Sequence, residues 1–403
     1  MSKESGTSIK KLKIKNRTLL LKLIATQGSL SRVDLSRLTG LTKMAIGNLV
    51  SELIEENLIE EDSQSDNPDS STSQGRPPIK LKISSASPCF CGMLVKRGLC
   101  EVAVSDLSGI IFDSIKTEFT AITGEGLVKI LTDSFASLKA RTNRHIYAIG
   151  VSSIGPINST TGEILNPPNS PGIENIAITE KLRKALRLPV FLINDANAGA
   201  LAEKMYGLGK DIHNFVYIHI MNGIGAGLVL EDKLYEGNSG QSGEIGHTSI
   251  NFTGPRCSCG NTGCLELYAS VQNMQNRISQ LKDIYPGSEL HAFSKARWIN
   301  IVDAANGGDP LALHVLEEFC SYISYALIDV LNMIDTSHVF IGYNSSSPGD
   351  TVERLLESRI SQSVLYSKYR DISVRRSAFQ GNGPLVGSIA MIADKIFNHE
   401  LEL

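Results

Sequence analysis

Three cysteines stand close together in the segment Cys-Ser-Cys-Gly-Asn-Thr-Gly-Cys, residues 257–264. Their spacing, C-x-C-x4-C, is typical of thiolates that share one metal ion, and cysteine is a usual ligand of structural zinc. A closed zinc site takes four ligands, so a fourth must come from elsewhere in the chain. The alternatives are buried cysteines that act as small apolar residues, or a thiol group that responds to oxidation.

Polar residues that could bind a ligand lie on either side of a glycine-rich turn. A strand-like apolar run ends at Asn194 and Asp195, and the turn itself is Gly-Ile-Gly-Ala-Gly at 223–227. Residues 243–247 are Gly-Glu-Ile-Gly-His, and Glu266 follows the last cysteine of the cluster. A single carboxylate is most often a solvated surface charge, so only the combination of these stretches predicts a site.

Together these stretches resemble the ROK family, which contains transcriptional repressors and sugar kinases. The combination of Gly-Glu-x-Gly-His with C-x-C-G-x-x-G-C-x-E carries the resemblance and is highly specific, whereas the glycine-rich turn alone is a weak signal. The resemblance extends over essentially the whole chain. It implies a two-lobed α/β body with the actin-like ATPase fold.

The resemblance also supplies the missing metal ligand. It makes His247, ten residues before the first cysteine of the cluster, the partner of Cys257, Cys259 and Cys264. One histidine and three thiolates form a closed site with no open position for catalysis, so the expected Zn²⁺ is structural. It would tie the loop that carries Glu244 to the turn that precedes Glu266.

In the family, the site beside this metal binds a sugar. The matching positions in this chain are Asn194, Asp195, Glu244, His247 and Glu266. Sugar hydroxyls are hydrogen-bond donors, and carboxylates and an amide can accept from them in pairs. The resemblance therefore implies a small sugar ligand, and residues 165–172 resemble the segment that closes over it.

The stretches that would bind ATP in a kinase of this family depart from its pattern. Leu94 stands at or next to an acidic position, and leucine offers no oxygen ligand to Mg²⁺. Lys96 stands where a glycine is expected, and the second phosphate turn, usually Gly-Thr-Gly, is Met-Asn-Gly at 221–223. The adenine-side glycine cluster is replaced by Gly-Tyr-Asn-Ser at 342–345. We therefore expect no ATP cofactor and no enzymatic activity, with Asp195 acting as a hydrogen-bond acceptor rather than a general base.

The elements before this body are helical. Apolar periodicity and capping residues predict helices over 17–25, 31–40 and 42–56, with a tight turn between the last two as in a helix-turn-helix. Residues 1–50 contain ten Lys or Arg and two acidic residues, a net charge of +8. Such a basic terminus favours a DNA-binding module, and the alternative is a three-helix protein-interaction domain.

The third helix would carry the contacts with DNA. The face opposite its apolar stripe has small and polar side chains that could enter a major groove, namely Lys43, Met44, Gly47, Asn48 and Ser51. Two short strands within 58–83, around a polar segment at 61–78, are predicted to form a wing. Arg76 in that segment could reach a minor groove, and the alternative is that the segment is only a linker.

Length and composition limit the remaining possibilities. A chain of 403 residues is too long for one ordinary core. We predict a winged helix-turn-helix domain at 1–84, a first lobe at 85–196 plus 385–403, and a second lobe at 197–384 with the zinc site and oligomerisation helices. An odd count of seven cysteines favours a reducing compartment, and there is no signal-peptide core or membrane-length apolar run, so we expect a cytoplasmic protein that does not contact membranes.

These features predict a sugar-responsive transcriptional regulator, most simply a repressor that binds a palindromic operator as a homodimer or homotetramer. One alternative is an active ATP-dependent sugar kinase with a DNA-binding appendage. Another is a regulator controlled by a protein partner, with a sugar cleft that no longer functions. ATP turnover over a sugar panel separates the first two, and the absence of all sugar binding would favour the third.

Overall fold

The computed structural model describes residues 9–62, 78–142, 144–168, 170–221 and 223–403. Helices and strands are numbered in chain order. The helices are α1 Ile9–Gln27, α2 Arg32–Thr39, α3 Lys43–Glu55, α4 Gly124–Thr142, α5 Ile178–Leu186, α6 Asp195–Tyr206, α7 Val271–Gln280, α8 Trp298–Asn306, α9 Pro310–Ile334, α10 Thr351–Ser363 and α11 Gly383–Phe397. The strands are β1 Leu30–Ser31, β2 Ile59–Glu61, β3 Lys80–Ile83, β4 Cys89–Lys96, β5 Leu99–Ser105, β6 Ile111–Glu118, β7 Ile146–Ser153, β8 Ile157–Asn158, β9 Glu163–Ile164, β10 Val190–Asn194, β11 Phe215–Ile220, β12 Ile224–Leu230, β13 Lys233–Leu234, β14 His338–Gly342 and β15 Ser373–Arg376.

Helices α2 and α3 form at the predicted positions because their caps are encoded locally. Ser31 and Asp34 make a reciprocal capping box at the start of α2, and Gly40 ends that helix in the left-handed conformation. Thr42 caps α3 by accepting a hydrogen bond from the Ala45 N–H. Helix α1 begins earlier than predicted, because its first turns alternate Lys with apolar residues and so lack the helical periodicity used for the prediction.

A small sheet completes this N-terminal unit. Strands β2 and β3 pair antiparallel with Ile59 opposite Ile83, and β1 pairs with the other edge of β3. The two strands predicted around the polar segment are therefore present. The segment between them, with Arg76, lies outside the described residues.

The body contains two five-stranded sheets. The first has the order β10-β7-β4-β5-β6, with β10, β7 and β4 parallel and β5 and β6 antiparallel. The second has the order β13-β12-β11-β14-β15, with the same combination of parallel and antiparallel neighbours. The central strands β4 and β11 are almost entirely buried, as expected for strands covered on both faces.

Helices α6 and α11 cross closely beside the first sheet. A Cβ atom at Gly387 in α11 would lie 1.8 Å from the Ala198 carbonyl oxygen in α6, so only glycine permits this approach. Helix α11 also packs on β4 and β7. The predicted domain boundaries themselves stay predictions.

The helix-turn-helix and the body share one apolar core. Leu20 and Ile24 of α1 belong to the same cluster of buried side chains as Leu201 and Met205 of α6. Helix α1 contacts both α6 and α11. The N-terminal unit is therefore packed on the two helices that cross behind the cleft described below.

Helix α9 is long and apolar enough to cross a bilayer by length and composition alone. More than half of its most apolar window, 56%, is buried inside the protein, and a core helix passes the same test.

Candidate functional site

The residues predicted to bind a sugar come together in one cleft between the two sheets. The cleft encloses about 120 Å³. Its lining includes all five of these residues, Asn194, Asp195, Glu244, His247 and Glu266. The structure thus places them together from the end of β10 and from two separate loops after β12.

Asn194 and Asp195 lie where β10 ends and α6 begins. The Asn194 Oδ1 caps α6 by accepting from the N–H groups of Ala196 at 2.9 Å and Asn197 at 3.3 Å. We expected this amide to accept from sugar hydroxyls, but its oxygen is already used by the helix, so its Nδ2 group is the part left to donate to a ligand. Asp195 Oδ1 also accepts from Ala196 N–H, at 2.9 Å.

Two glycines keep the cleft open: Gly223 of the glycine-rich turn, and Gly155, which no sequence motif marked. A Cβ atom at Gly155 would lie 3.1 Å from Asn194 Nδ2 and 3.2 Å from Glu244 Oε1. A Cβ atom at Gly223 would lie 3.0 Å from Glu266 Oε1. Any side chain at these positions would occupy the space between the polar groups where a ligand would have to sit. For Gly155 this close approach is the one signal of its role, and it is visible only in three dimensions.

Burial shifts the pKa values of the ionisable groups in the cleft. Burial is the main cause that raises the pKa of Asp195 to about 6, and the nearby Glu244 carboxylate raises it further while Lys96 opposes the shift. Burial likewise raises the pKa of Glu244 and lowers the pKa of Lys96. His219, buried in β11, has a pKa lowered to about 3 by burial and is therefore neutral, and its Nε2 atom has no hydrogen-bond partner among the described residues.

His247, Cys257, Cys259 and Cys264 form a cluster suited to one metal ion. Their ligand atoms all lie within 4.8 Å of one another. Cys259 Sγ lies 3.6 Å from Cys264 Sγ, and Cys257 Sγ lies 3.7 Å from His247 Nδ1. Zinc–sulfur bonds of about 2.3 Å in a tetrahedron separate two sulfurs by roughly 3.8 Å, so the donor set and its spacing fit zinc.

The histidine of this cluster links it to the cleft. Its Nδ1 atom faces the thiols, while its Nε2 atom lies 3.9 Å from Glu266 Oε2. A carboxylate behind a metal-binding imidazole fixes the orientation of the ring. The other cysteines, Cys89, Cys91, Cys100 and Cys320, are buried.

At the positions where the sequence departs from an ATP site, the side chains fill space or make hydrogen bonds within the protein. Leu94 is fully buried, and Lys96 lines the cleft with its Nζ donating to the Gly381 carbonyl at 3.3 Å. Tyr343 is also fully buried, with its hydroxyl donating to Glu353 at 2.7 Å. The Asp303 carboxylate accepts from the backbone N–H groups of 346 and 347 and from the hydroxyl of residue 345.

The predicted DNA-contacting residues of α3 lie on its open face. Lys43, Asn48 and Ser51 are exposed, and Met44 is 75% exposed. A Cβ atom at Gly47 would meet nothing within 4 Å. The surface of α3 is therefore open at this position. The opposite face of α3 is buried through Ile46, Leu49, Val50 and Leu53.

Comparisons with known proteins agree with this architecture. The xylose repressor of Bacillus spizizenii is 30% identical over 392 residues, covering 96% of this chain and 96% of that protein. A glucokinase of Thermotoga maritima is 29% identical over 252 residues, covering 62% of this chain and 80% of the glucokinase. A solved ROK family transcriptional regulator, described as a homolog of the E. coli MLC protein, has a TM-score of 0.76 at 30% identity and covers 96% of this chain and 98% of its own.

The family model described as "ROK family" matches residues 98–395. The predicted family and the predicted fold, a helix-turn-helix followed by an actin-like body, are thereby confirmed. Because repressors and a sugar kinase both occur among these relatives, membership alone does not decide between regulation and catalysis. The chain belongs to the ROK family.

Proposed function

We propose that this protein is a transcriptional repressor that leaves its operator DNA when a sugar enters the cleft. The observation that carries the proposal is the path from cleft to DNA-binding unit. Helix α6 begins at Asp195 in the cleft and contacts α1, and Leu201 and Met205 in its second half belong to the same buried cluster as α1 side chains. Relatives aligned over nearly the whole chain, including the xylose repressor, support the same class of function.

The sugar is proposed to bind between Asp195, Glu244 and Glu266 as hydrogen-bond acceptors and Asn194 as a donor. His247 would border the ligand through its Nε2 side while Nδ1 binds zinc. A structural zinc ion, one per chain, would hold the loops of Glu244 and Glu266 at a fixed separation. A cleft with several buried polar groups favours ligands that pair with all of them.

A ligand that binds at the start of α6 can change the position of the DNA-binding unit through this helix. A helix of 12 residues is about 18 Å long at 1.5 Å per residue. Beyond its end, Lys210 Nζ donates to the Thr26 carbonyl of α1 at 2.5 Å. A shift of α6 on closure of the cleft would therefore move α1, and with it α2 and α3.

The regulator is proposed to act in the cytoplasm as a dimer or tetramer on a palindromic operator. A single helix-turn-helix contacts only a few base pairs, and two copies at a fixed spacing supply the remaining specificity. Exposed apolar side chains on α9, among them Tyr325 and Met333, are available for contact between copies. The buried Leu94 and Tyr343 and the occupied donors near Asp303 support a binding protein rather than a kinase.

The test uses operator DNA selected from a random library by the purified full-length protein. The affinity of the protein for this DNA is measured by fluorescence anisotropy with and without xylose, glucose and N-acetylglucosamine. One sugar should weaken DNA binding 5- to 150-fold, a coupling of about 1–3 kcal/mol. Asp195→Asn should keep DNA binding and lose the response. Sugar phosphorylation by ATP at about 1 s⁻¹ or faster would instead identify a kinase.

A further inference from the structure

The cleft does not end at the residues proposed to hold the sugar. A second cavity, the outer chamber, adjoins it and has about 640 Å³ of space. The two cavities share four lining residues, Gly155, Pro168, Glu244 and His247. The two cavities therefore meet at Glu244 and His247, so a ligand seated there lies next to the outer chamber.

Hydrogen bonds attach one wall of the outer chamber to the rest of the first lobe. The Leu165 N–H donates to the Pro156 carbonyl at 3.0 Å, and the Asn175 N–H donates to the Leu165 carbonyl at 2.5 Å. Arg97 Nη2 donates to the Pro168 carbonyl at 2.9 Å. These bonds hold Leu165, Pro168 and Asn175 in place.

The opposite wall is also anchored. Gln241 Nε2 donates to the Ile157 carbonyl at 2.9 Å, which fixes the loop between β13 and the zinc cluster against the first lobe. Ser258 and Cys259 of the cysteine turn complete the lining. The metal cluster therefore borders both the cleft and the outer chamber.

The lining of the outer chamber has the chemistry of a carbohydrate subsite. Pro156, Pro167 and Pro171 offer apolar ring faces, which suit the C–H face of a sugar ring. Asn166 and Glu174 also line the chamber, and neither side chain has a hydrogen-bond or ion-pair partner within the described residues. An apolar wall with a few unpaired donors and acceptors is the general pattern of a small-molecule site that fixes orientation.

We propose that the effector is a saccharide of two linked rings, with one ring in the cleft and the second in the outer chamber. The inference rests on the proposed function and narrows its ligand class from a sugar to a disaccharide. A monosaccharide would occupy the cleft alone and leave the outer chamber to water. The second ring gains the contacts of the chamber without a second association step, because the glycosidic bond carries it there.

The experiment measures binding by isothermal titration on the zinc-containing full-length protein. The probes are matched pairs, xylose with β-1,4-xylobiose and glucose with cellobiose and maltose. In at least one pair the disaccharide should bind 10-fold or more tightly than its monosaccharide, which corresponds to about 1.4 kcal/mol. Asn166→Trp fills the chamber from an exposed position and should bring that affinity ratio close to one.

Lys184→Trp is the matched control, because Lys184 is exposed on α5 and lines neither cavity. It should keep the wild-type ratio, and thermal unfolding without sugar shows whether each variant is folded. If monosaccharides bind as tightly as every disaccharide, or if Asn166→Trp leaves the ratio unchanged, the two-ring proposal is overturned while the proposed function stands. If no sugar of either size binds, the proposed function fails, and the two-ring proposal fails with it.

Discussion

Sugar affinity should fall as the pH is lowered through the pKa of Asp195, which burial raises to about 6. The ionised carboxylate accepts hydrogen bonds from sugar hydroxyls, whereas the protonated acid has lost part of that capacity. A carboxyl with a pKa of 6 is about nine-tenths ionised at pH 7 and about one-tenth ionised at pH 5. If only the ionised form binds, affinity should drop roughly 10-fold over that interval, or about 1.4 kcal/mol.

The groups that face Asp195 set the shape of this response. Glu244 also has a pKa raised by burial, so its protonation steepens the fall in the same direction. His219 stays neutral throughout, because burial lowers the pKa of His219 to about 3. None of these groups reverses the predicted sign.

The assay is isothermal titration with one binding sugar at pH 8, 7, 6 and 5, for wild type and Asp195→Asn. The variant should bind more weakly at pH 8 and show a smaller loss between pH 7 and pH 5, since an amide does not titrate. Zinc content is measured at each pH, because protonation of thiolates also releases metal. Equal wild-type affinity at pH 5 and pH 8 would refute the argument, as would an Asp195→Asn profile as steep as that of wild type.

Three further outcomes are expected. Wild-type protein should carry about one zinc per chain by elemental analysis. Cys259→Ser should lose zinc and sugar binding, whereas Lys184→Ala, at a position that lines neither cavity, should keep both; full sugar affinity without zinc would contradict the structural role. Lys43→Ala should reduce the slope of log binding constant against log salt concentration by about 0.9, if the Lys43 ammonium contacts a phosphate. Lys184→Ala is the control and should leave the slope unchanged. An unaltered slope in Lys43→Ala would place the DNA-binding surface elsewhere. Lys210→Met removes a charged hydrogen bond worth about 1.5–3 kcal/mol. The variant should show a smaller sugar-induced change in operator affinity than wild type. An unchanged response would mean that α6 does not transmit the signal.

Features encoded in short stretches could be predicted from the sequence. The capping box of Ser31 and Asp34 fixes where α2 begins, because both partners are three residues apart in the chain. The cluster of possible metal ligands was predictable for a related reason, since the cysteine spacing permits one ion and the resemblance supplied His247; the structure brings the four residues together. The five residues predicted to bind a sugar came only from the resemblance, and the structure places them in one cleft.

Features that depend on two distant segments could not be predicted. The use of Asn194 as a helix cap competes with its use as a ligand acceptor, and only the start of α6 decides between them. Gly155 matters because Asn194 and Glu244 approach it from separate elements. The fit of Asp303 to the loop at 345–347 spans about forty residues, with backbone donors that have no sequence signature.

The shared core between α1 and the body has a consequence for how the repressor would switch. If the DNA-binding unit hung from a flexible linker, closure of the cleft would change its position little, since a flexible chain transmits no displacement. Leu20 and Ile24 instead pack in one cluster with Leu201 and Met205 of α6, and packed interfaces shift between discrete arrangements rather than deform smoothly. Because coupling free energies are reciprocal, operator DNA must then weaken sugar binding by the same factor by which the sugar weakens DNA binding. The cleft should therefore bind sugar less tightly in the DNA complex than in the free protein, and this difference in binding free energy should equal the one that the sugar causes in operator binding.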